Sequence, residues 1–193
     1  MGQARPSRSP REGTEQAACG SAGPAPRRKR PEGCRRRHAS VPPRLGRARL
    51  SVFCDSSALV KLYADEPEAD KVRRLSNLVV SGLARVEVPG ALWRKHRLGE
   101  LSREDAAVLV EEFEWDWFGE PEGELGFAVL DVTDGILEEA ARSVARHPLR
   151  AFDAVQLASA LVAREADSSL TKFACFDEAL ADAARAEGFT LPW

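Results

Sequence analysis

The 193-residue chain carries 28 Lys and Arg against 30 Asp and Glu, a formal net charge of −2, with 44% hydrophobic residues and four cysteines. No apolar run reaches the roughly 18–20 residues that a membrane span needs, the N-terminus has no apolar signal core, and the Cys and His positions fit neither C-x-x-C nor zinc spacing. A membrane protein, a disulfide framework and a zinc module are therefore set aside, and a soluble cytoplasmic protein is expected.

The even charge is an average. Residues 1–49 hold thirteen Arg and Lys against three Glu, which leaves fifteen basic and twenty-seven acidic groups for the rest (28 − 13 and 30 − 3). This first segment is rich in Arg, Pro, Gly, Ser and Ala, has basic clusters at 27–30 and 35–37, and lacks apolar periodicity, so a disordered tail is expected. It reads either as an electrostatic arm for nucleic acid or as a segment outside the working protein, translated from a start assigned too far upstream. The second reading is preferred, with Val41 or Leu50 as the working start, and the intact mass of natively expressed protein decides between them. Residues 50–193 have the length of one domain with one core, burying about 70% of its unfolded surface.

In chain order, Leu50-Ser-Val-Phe-Cys54 is uncharged and reads as a strand buried on both faces. It stops at Asp55. Ser56 and Ser57 are available as caps, and Ala58, Leu59, Leu62 and Tyr63 fall on one face of a helix. A short charged helix over 68–75 and a strand over 78–80 follow. Ser81 then caps a helix over 82–98, with Leu83, Val86, Leu92 and Trp93 as its candidate buried side and a bend expected at Pro89. Ser102-Arg-Glu-Asp105 varies the capping box and opens an amphipathic helix through Leu109, Val110, Phe113 and Trp117.

An acidic loop over 119–126 leads to a third strand at 127–132. Thr133 or Asp134 caps the next helix, which carries Ile136, Leu137, Ala140, Ala141 and Val144 and ends at His147-Pro148. Residues 149–162 are apolar on most faces, the mark of a central helix, and hold Asp153 at their entry. A fourth strand over 170–176 ends at Asp177, which caps a last helix stopped by Gly188, and 189–191 form a short final strand. Strands alternating with helices predict an α/β fold with a parallel sheet covered on both sides.

Four acids stand where such a sheet gathers its chemistry: Asp55, Glu87, Asp153 and Asp177. Each has a plainer explanation. The three Asp residues suit helix N-caps, and Glu87 suits a solvated helix position. Together, however, four carboxylates in one pocket repel strongly and stay ionised only with a bound cation. Carboxylates without Cys or His suit a hard ion, Mg²⁺ or Mn²⁺, and the natural reaction is phosphodiester hydrolysis.

Four stretches, Asp55-Ser-Ser-Ala-Leu-Val-Lys-Leu-Tyr63, Ser81-Gly-Leu-Ala-Arg-Val-Glu-Val-Pro-Gly-Ala-Leu-Trp-Arg94, Leu149-Arg-Ala-Phe-Asp-Ala-Val-Gln-Leu-Ala-Ser-Ala-Leu161 and Phe176-Asp-Glu-Ala-Leu-Ala-Asp-Ala-Ala184, resemble in order and spacing the PIN-domain ribonucleases, specifically the VapC toxins of type II toxin–antitoxin systems. The resemblance spans nearly all of residues 50–193. It implies a PIN-like three-layer α/β/α sandwich around a short parallel sheet, a homodimer, and Mg²⁺- or Mn²⁺-dependent endonuclease action on RNA leaving 5′-phosphate and 3′-hydroxyl ends. By the same match Asp55, Glu87 and Asp153 fall on the family's main acids and Asp177 on its more variable fourth, with Asp55, Asp153 and Asp177 as metal ligands. Ser56 or Ser57 falls where the family has a supporting hydroxyl. The implied partners are a VapB-type antitoxin, whose C-terminal segment fills the groove, and operator DNA through that antitoxin.

Two features depart from the pattern. Cys175 stands where many relatives have Thr, and residues 1–49 have no family counterpart. Cys54 and Cys175 end two strands, and buried inert thiols are expected there rather than a reversible disulfide. RNA contacts must be local on so acidic a body, with Arg85, Arg94 and Lys95 as candidates and Arg97, Lys61 and Arg150 beside them. Trp93, Trp115 and Trp117 are expected in cores or interfaces, and His38, His96 and His147 form no catalytic arrangement. Two further classes stay open. A receiver-like phosphoacceptor module also gathers acids at strand ends, although Ser56 follows Asp55 where it needs a second acid. A non-catalytic PIN-like scaffold would be told from the nuclease by metal binding.

Overall fold

The computed structural model describes residues 51–118 and 126–193. The basic segment 1–49 and nearly all of the expected acidic loop lie outside the described residues. Among them four strands, β1 (Val52–Cys54), β2 (Leu78–Ser81), β3 (Ala128–Leu130) and β4 (Lys172–Ala174), form one parallel sheet in the order β3-β2-β1-β4. The helices are α1 (Ser56–Tyr63), α2 (Ala69–Arg73), α3 (Ala84–Arg97), α4 (Arg103–Phe118), α5 (Asp134–Arg146), α6 (Ala151–Ala166) and α7 (Glu178–Ala186).

The pleat explains the layers, because successive side chains in a strand point to opposite faces. Phe53, Val79 and Phe173 face one way, into a core built with Ile136, Leu157, Leu161 and Leu180 from α5, α6 and α7. Val52, Cys54, Val80 and Ala174 face the other way, against Leu59, Val88, Leu92 and Phe113 from α1, α3 and α4. The result is the expected three-layer α/β/α sandwich. Phe53 and Phe173 sit directly opposite in the β1–β4 register and stack at 5.1 Å, a cross-strand pair of about 0.5–1 kcal/mol that pins the two acid-bearing strands together.

The strands are shorter than their apolar runs, since a run continues wherever the core needs apolar cover and a strand lasts only while a neighbour pairs with it. Residues 189–191 contribute a single parallel bridge, Thr190 to Lys172, instead of a strand. Helix α3 continues through Pro89 and buries Ala84, Val88 and Leu92, spaced four apart. Val86 lies off that stripe and is 71% exposed, so its expected burial is corrected; Leu83 and Trp93 are half-buried. In α5 Ile136, Ala140 and Ser143 face the core while Leu137 and Val144 are exposed. Helix α6 is buried along most of its length, as its composition predicts.

The chain leaves β1 toward β2 and β3 and returns on the other side as β4. The strand order therefore reverses at β1, which opens a crevice at the carboxyl ends of β1 and β4.

Candidate active site

Asp55 follows β1 directly and is 5% exposed. Its backbone N–H donates to Ala174 O at 2.9 Å across the β1–β4 ladder. Its extended backbone makes it the N-cap of α1, with Oδ2 accepting from Ser57 N at 2.9 Å. The cap is thus Asp55 itself, and Ser56 and Ser57 are the first helical residues. Burial raises the Asp55 carboxyl to about 6, helped by the negative charge of Glu87 and opposed by hydrogen bonds from Ser57 and from the Ser56 backbone.

The two serines are spent on alignment. Ser56 Oγ donates to Glu87 Oε2 at 2.6 Å, and Ser57 Oγ accepts from Phe176 N at 2.9 Å, which ties the start of α1 to the segment carrying Asp177. Glu87, in the first turn of α3, takes a further hydrogen bond on Oε2 from Gln156 Nε2 at 2.7 Å. Asp153 lies in the first turn of α6. Burial raises its pKa, Asp177 and Glu87 raise it further, and Arg150 pulls it down. Asp177 caps α7, its Oδ1 accepting from Leu180 N at 2.9 Å.

The structure therefore brings the four acids into one electrostatic cluster: Glu87 acts on Asp55 and on Asp153, and Asp177 acts on Asp153. Asp55 and Asp177 also cap helices, so for them the plainer role and the clustered role coexist. The N-cap position of α6 is Arg150, so the expected capping role of Asp153 is corrected to a first-turn position like that of Glu87. Glu87 and Asp153, with Arg150, Ala151 and Phe152, line an open depression of about 400 Å³. A depression of about 310 Å³ at the opposite edge of the sheet is lined by Asn77 and parts of β2 and β3 and holds no ionisable group.

Among the described residues no group of three or more His, Cys, Asp or Glu side chains forms a ready metal cage. The donor set nonetheless fits a hard divalent ion: every acid offers carboxylate oxygen, and Asp55 and Asp153, raised first by burial and then by neighbouring carboxylates, would have their ionised forms favoured by a bound cation.

The proposed RNA contacts divide. Lys95 is held by Glu66 and by Glu100 at 2.8 Å, and Lys61 by Glu66 at 2.7 Å. Arg85 pairs with Glu114 at 3.1 Å and lies over the Phe118 ring. Arg94, Arg97 and Arg150 are exposed, and Arg150 borders the acid depression. Sequence reasoning missed Phe152, 60% exposed on the rim, and Gln156, a buried amide inside the apolar α6. The signal for Gln156 was its position, one helical turn beyond Asp153.

Of the histidines, His96 Nδ1 lies 3.1 Å from Leu101 O and His147 Nε2 lies 2.7 Å from Glu187, away from the cluster. Trp117 packs on Phe113, while Trp115 is exposed. Cys54 and Cys175 are free, buried thiols. Burial pushes Cys54 far up and Cys175 to about 12, and the nearby carboxylates add to both, which makes them inert.

A parallel α/β/α sandwich with acids gathered at its strand ends defines a class, and the chain belongs to it: the PIN domain family model matches residues 52–186. Within that family it is 31% identical over 145 residues to Ribonuclease VapC46 of Mycobacterium tuberculosis, covering 73% of this chain and 95% of the relative. Mycobacterium tuberculosis VapC20, a sarcin–ricin loop cleaving toxin, shares the fold with a TM-score of 0.50 and 18% identity over 72% of this chain and 96% of that one. A toxin–antitoxin complex from Klebsiella pneumoniae aligns with a TM-score of 0.48 and 16% identity, over 74% and 98%.

Proposed function

We propose that the chain is a divalent-metal-dependent endoribonuclease acting as the toxin of a type II toxin–antitoxin pair. The observation that carries this reading is the gathering of Asp55, Glu87, Asp153 and Asp177 at the carboxyl edge of the sheet, in a chain 31% identical to a VapC ribonuclease. Asp55, Asp153 and Asp177 would hold Mg²⁺ or Mn²⁺, with Glu87 completing the site. When bound, the ion supplies Lewis-acid polarisation of the scissile phosphate and lowers the pKa of the attacking water.

The protein's share is alignment. Ser57 joins α1 to the segment before Asp177, Ser56 and Gln156 hold Glu87, and the β1–β4 ladder sets Asp55 beside β4. Arg150 is the cation best placed to receive an RNA phosphate, with Arg94 and Arg97 further along α3. A VapB-type antitoxin that covers the depression and offers a basic group to the acids, a homodimer, operator DNA bound through the antitoxin and a cytoplasmic location complete the proposal.

The test is cleavage of total RNA by the full chain freed of antitoxin, with Mg²⁺ or Mn²⁺. Discrete fragments that disappear with EDTA and in D55N are expected. Absence of both cleavage and divalent binding would replace this reading with a non-catalytic PIN scaffold.

A further inference from the structure

Gln156 is 1% exposed on α6, in a stretch otherwise made of Ala, Val, Leu and Ser. Its Nε2 donates to Glu87 Oε2 at 2.7 Å and to Ser56 Oγ at 2.9 Å, while Ser56 Oγ donates to the same Oε2 at 2.6 Å. Three helices, α1, α3 and α6, thus converge on one carboxylate oxygen. A carboxylate can only accept, so the amide must turn its NH₂ toward Glu87. The consequence is visible on the other side of the amide: Gln156 Oε1 is buried with no donor.

An orphaned acceptor in a core weakens folding, and an unbranched apolar side chain would fill the same space without one. The orphaned oxygen is the cost of the two hydrogen bonds that the amide donates. What the amide contributes is a fixed direction for Glu87: with Oε2 held by two donors, Oε1 is left to the depression that Glu87 lines with Asp153.

We propose that Gln156 is a positioning residue for Glu87, holding its Oε2 together with Ser56 so that Oε1 serves the metal site. This rests on the metal-dependent nuclease reading, but its own content is the orientation of Glu87. Outer-sphere partners of this kind typically change metal affinity or activity 10–100-fold.

The experiment compares the full chain with Gln156→Met, which keeps length and volume and removes the donor, and with Ser56→Ala, which removes the other donor. Mn²⁺ affinity by calorimetry, kcat and KM on RNA, thermal midpoints and crystal structures are read. Q156M should lose about tenfold or more in Mn²⁺ affinity and kcat, with KM for RNA little changed. In an E87A background Q156M should do nothing further to kcat. S56A should weaken the same two quantities in the same direction.

Wild-type Mn²⁺ affinity and kcat in Q156M, or an equal loss in the E87A background, would overturn the proposal, as would a fall in the midpoint with metal affinity intact. Should the wild type neither bind Mn²⁺ nor cleave RNA, the nuclease reading fails, and the crystal structure decides separately. A displaced Glu87 carboxylate in Q156M supports the positioning role, and an unmoved one refutes it.

Discussion

Two groups of acids in this chain meet opposite fates. Glu66 is pushed up by burial but more than offset by hydrogen bonds from Lys61 and Lys95, so its pKa falls below the usual range. Glu139 is lowered by Arg146 and Arg142, and Glu187 by His147 and Arg146. At the sheet edge the balance reverses, and burial with mutual repulsion raises Asp55 and Asp153. The first group is neutralised from within the chain and fastens elements together. The second has no such partner set, and on the proposed reading its charge is left for a cation from outside, the mark of a functional rather than a structural acid.

The largest test of this contrast is D55N. RNA cleavage should fall about 10²-fold or more, as when a preorganised charge is removed from a reacting centre, while Asn still caps α1. Stability should rise at pH 7. A raised pKa means that the ionised form is disfavoured in the fold, so the cost is absent below about pH 4 and fully present above about pH 6. A shift from 3.8 to about 6 corresponds to about 3 kcal/mol as an upper value. Thermal midpoints and cleavage rates check both parts, and a D55N protein that is less stable at pH 7 would break the comparison.

Next comes the metal itself. The stability difference between the wild type and D55N, measured by urea unfolding in EDTA, should grow as pH rises from about 4 to 6. Mn²⁺ at about 100 times its Kd should then return about 2.7 kcal/mol to the wild type and far less to D55N.

Glu187 should show the opposite sign. It accepts from His147 at 2.7 Å and from Arg146 at 3.1 Å, and its lowered pKa contributes stability above about pH 4.5 that is lost as pH falls through the folded value. E187Q should cost about 1 kcal/mol at pH 7 and less in acid, with RNA cleavage unchanged. The smallest effect concerns the thiols. Peptide mapping after iodoacetamide treatment of the native protein should find Cys54 and Cys175 unmodified, because burial holds both as neutral thiols.

Much of the site is legible residue by residue. Asp55 and Asp177 each end a strand run and begin a helix, a junction that composition marks clearly. Glu87 and Asp153 are legible only as members of the four-acid set and through the family resemblance. Val86 misleads because Leu83, Val86 and Trp93 offer a second stripe on α3, and packing against β2 and α4 selected Ala84, Val88 and Leu92 instead. Lys95 and Arg85 read as free cations, yet their partners Glu66 and Glu114 lie 29 residues away in sequence, beyond the reach of any helical spacing rule.

The sequence alone determined the alternation of strands and helices, the parallel sheet, and the delivery of acids to strand ends, because hydrophobic period and capping are local properties of the chain. Only the tertiary structure decided which charges are cancelled, and that Gln156 and Ser56 share one oxygen of Glu87. Those outcomes depend on distances between groups brought together by folding, and on a dielectric that exists only once the core has closed.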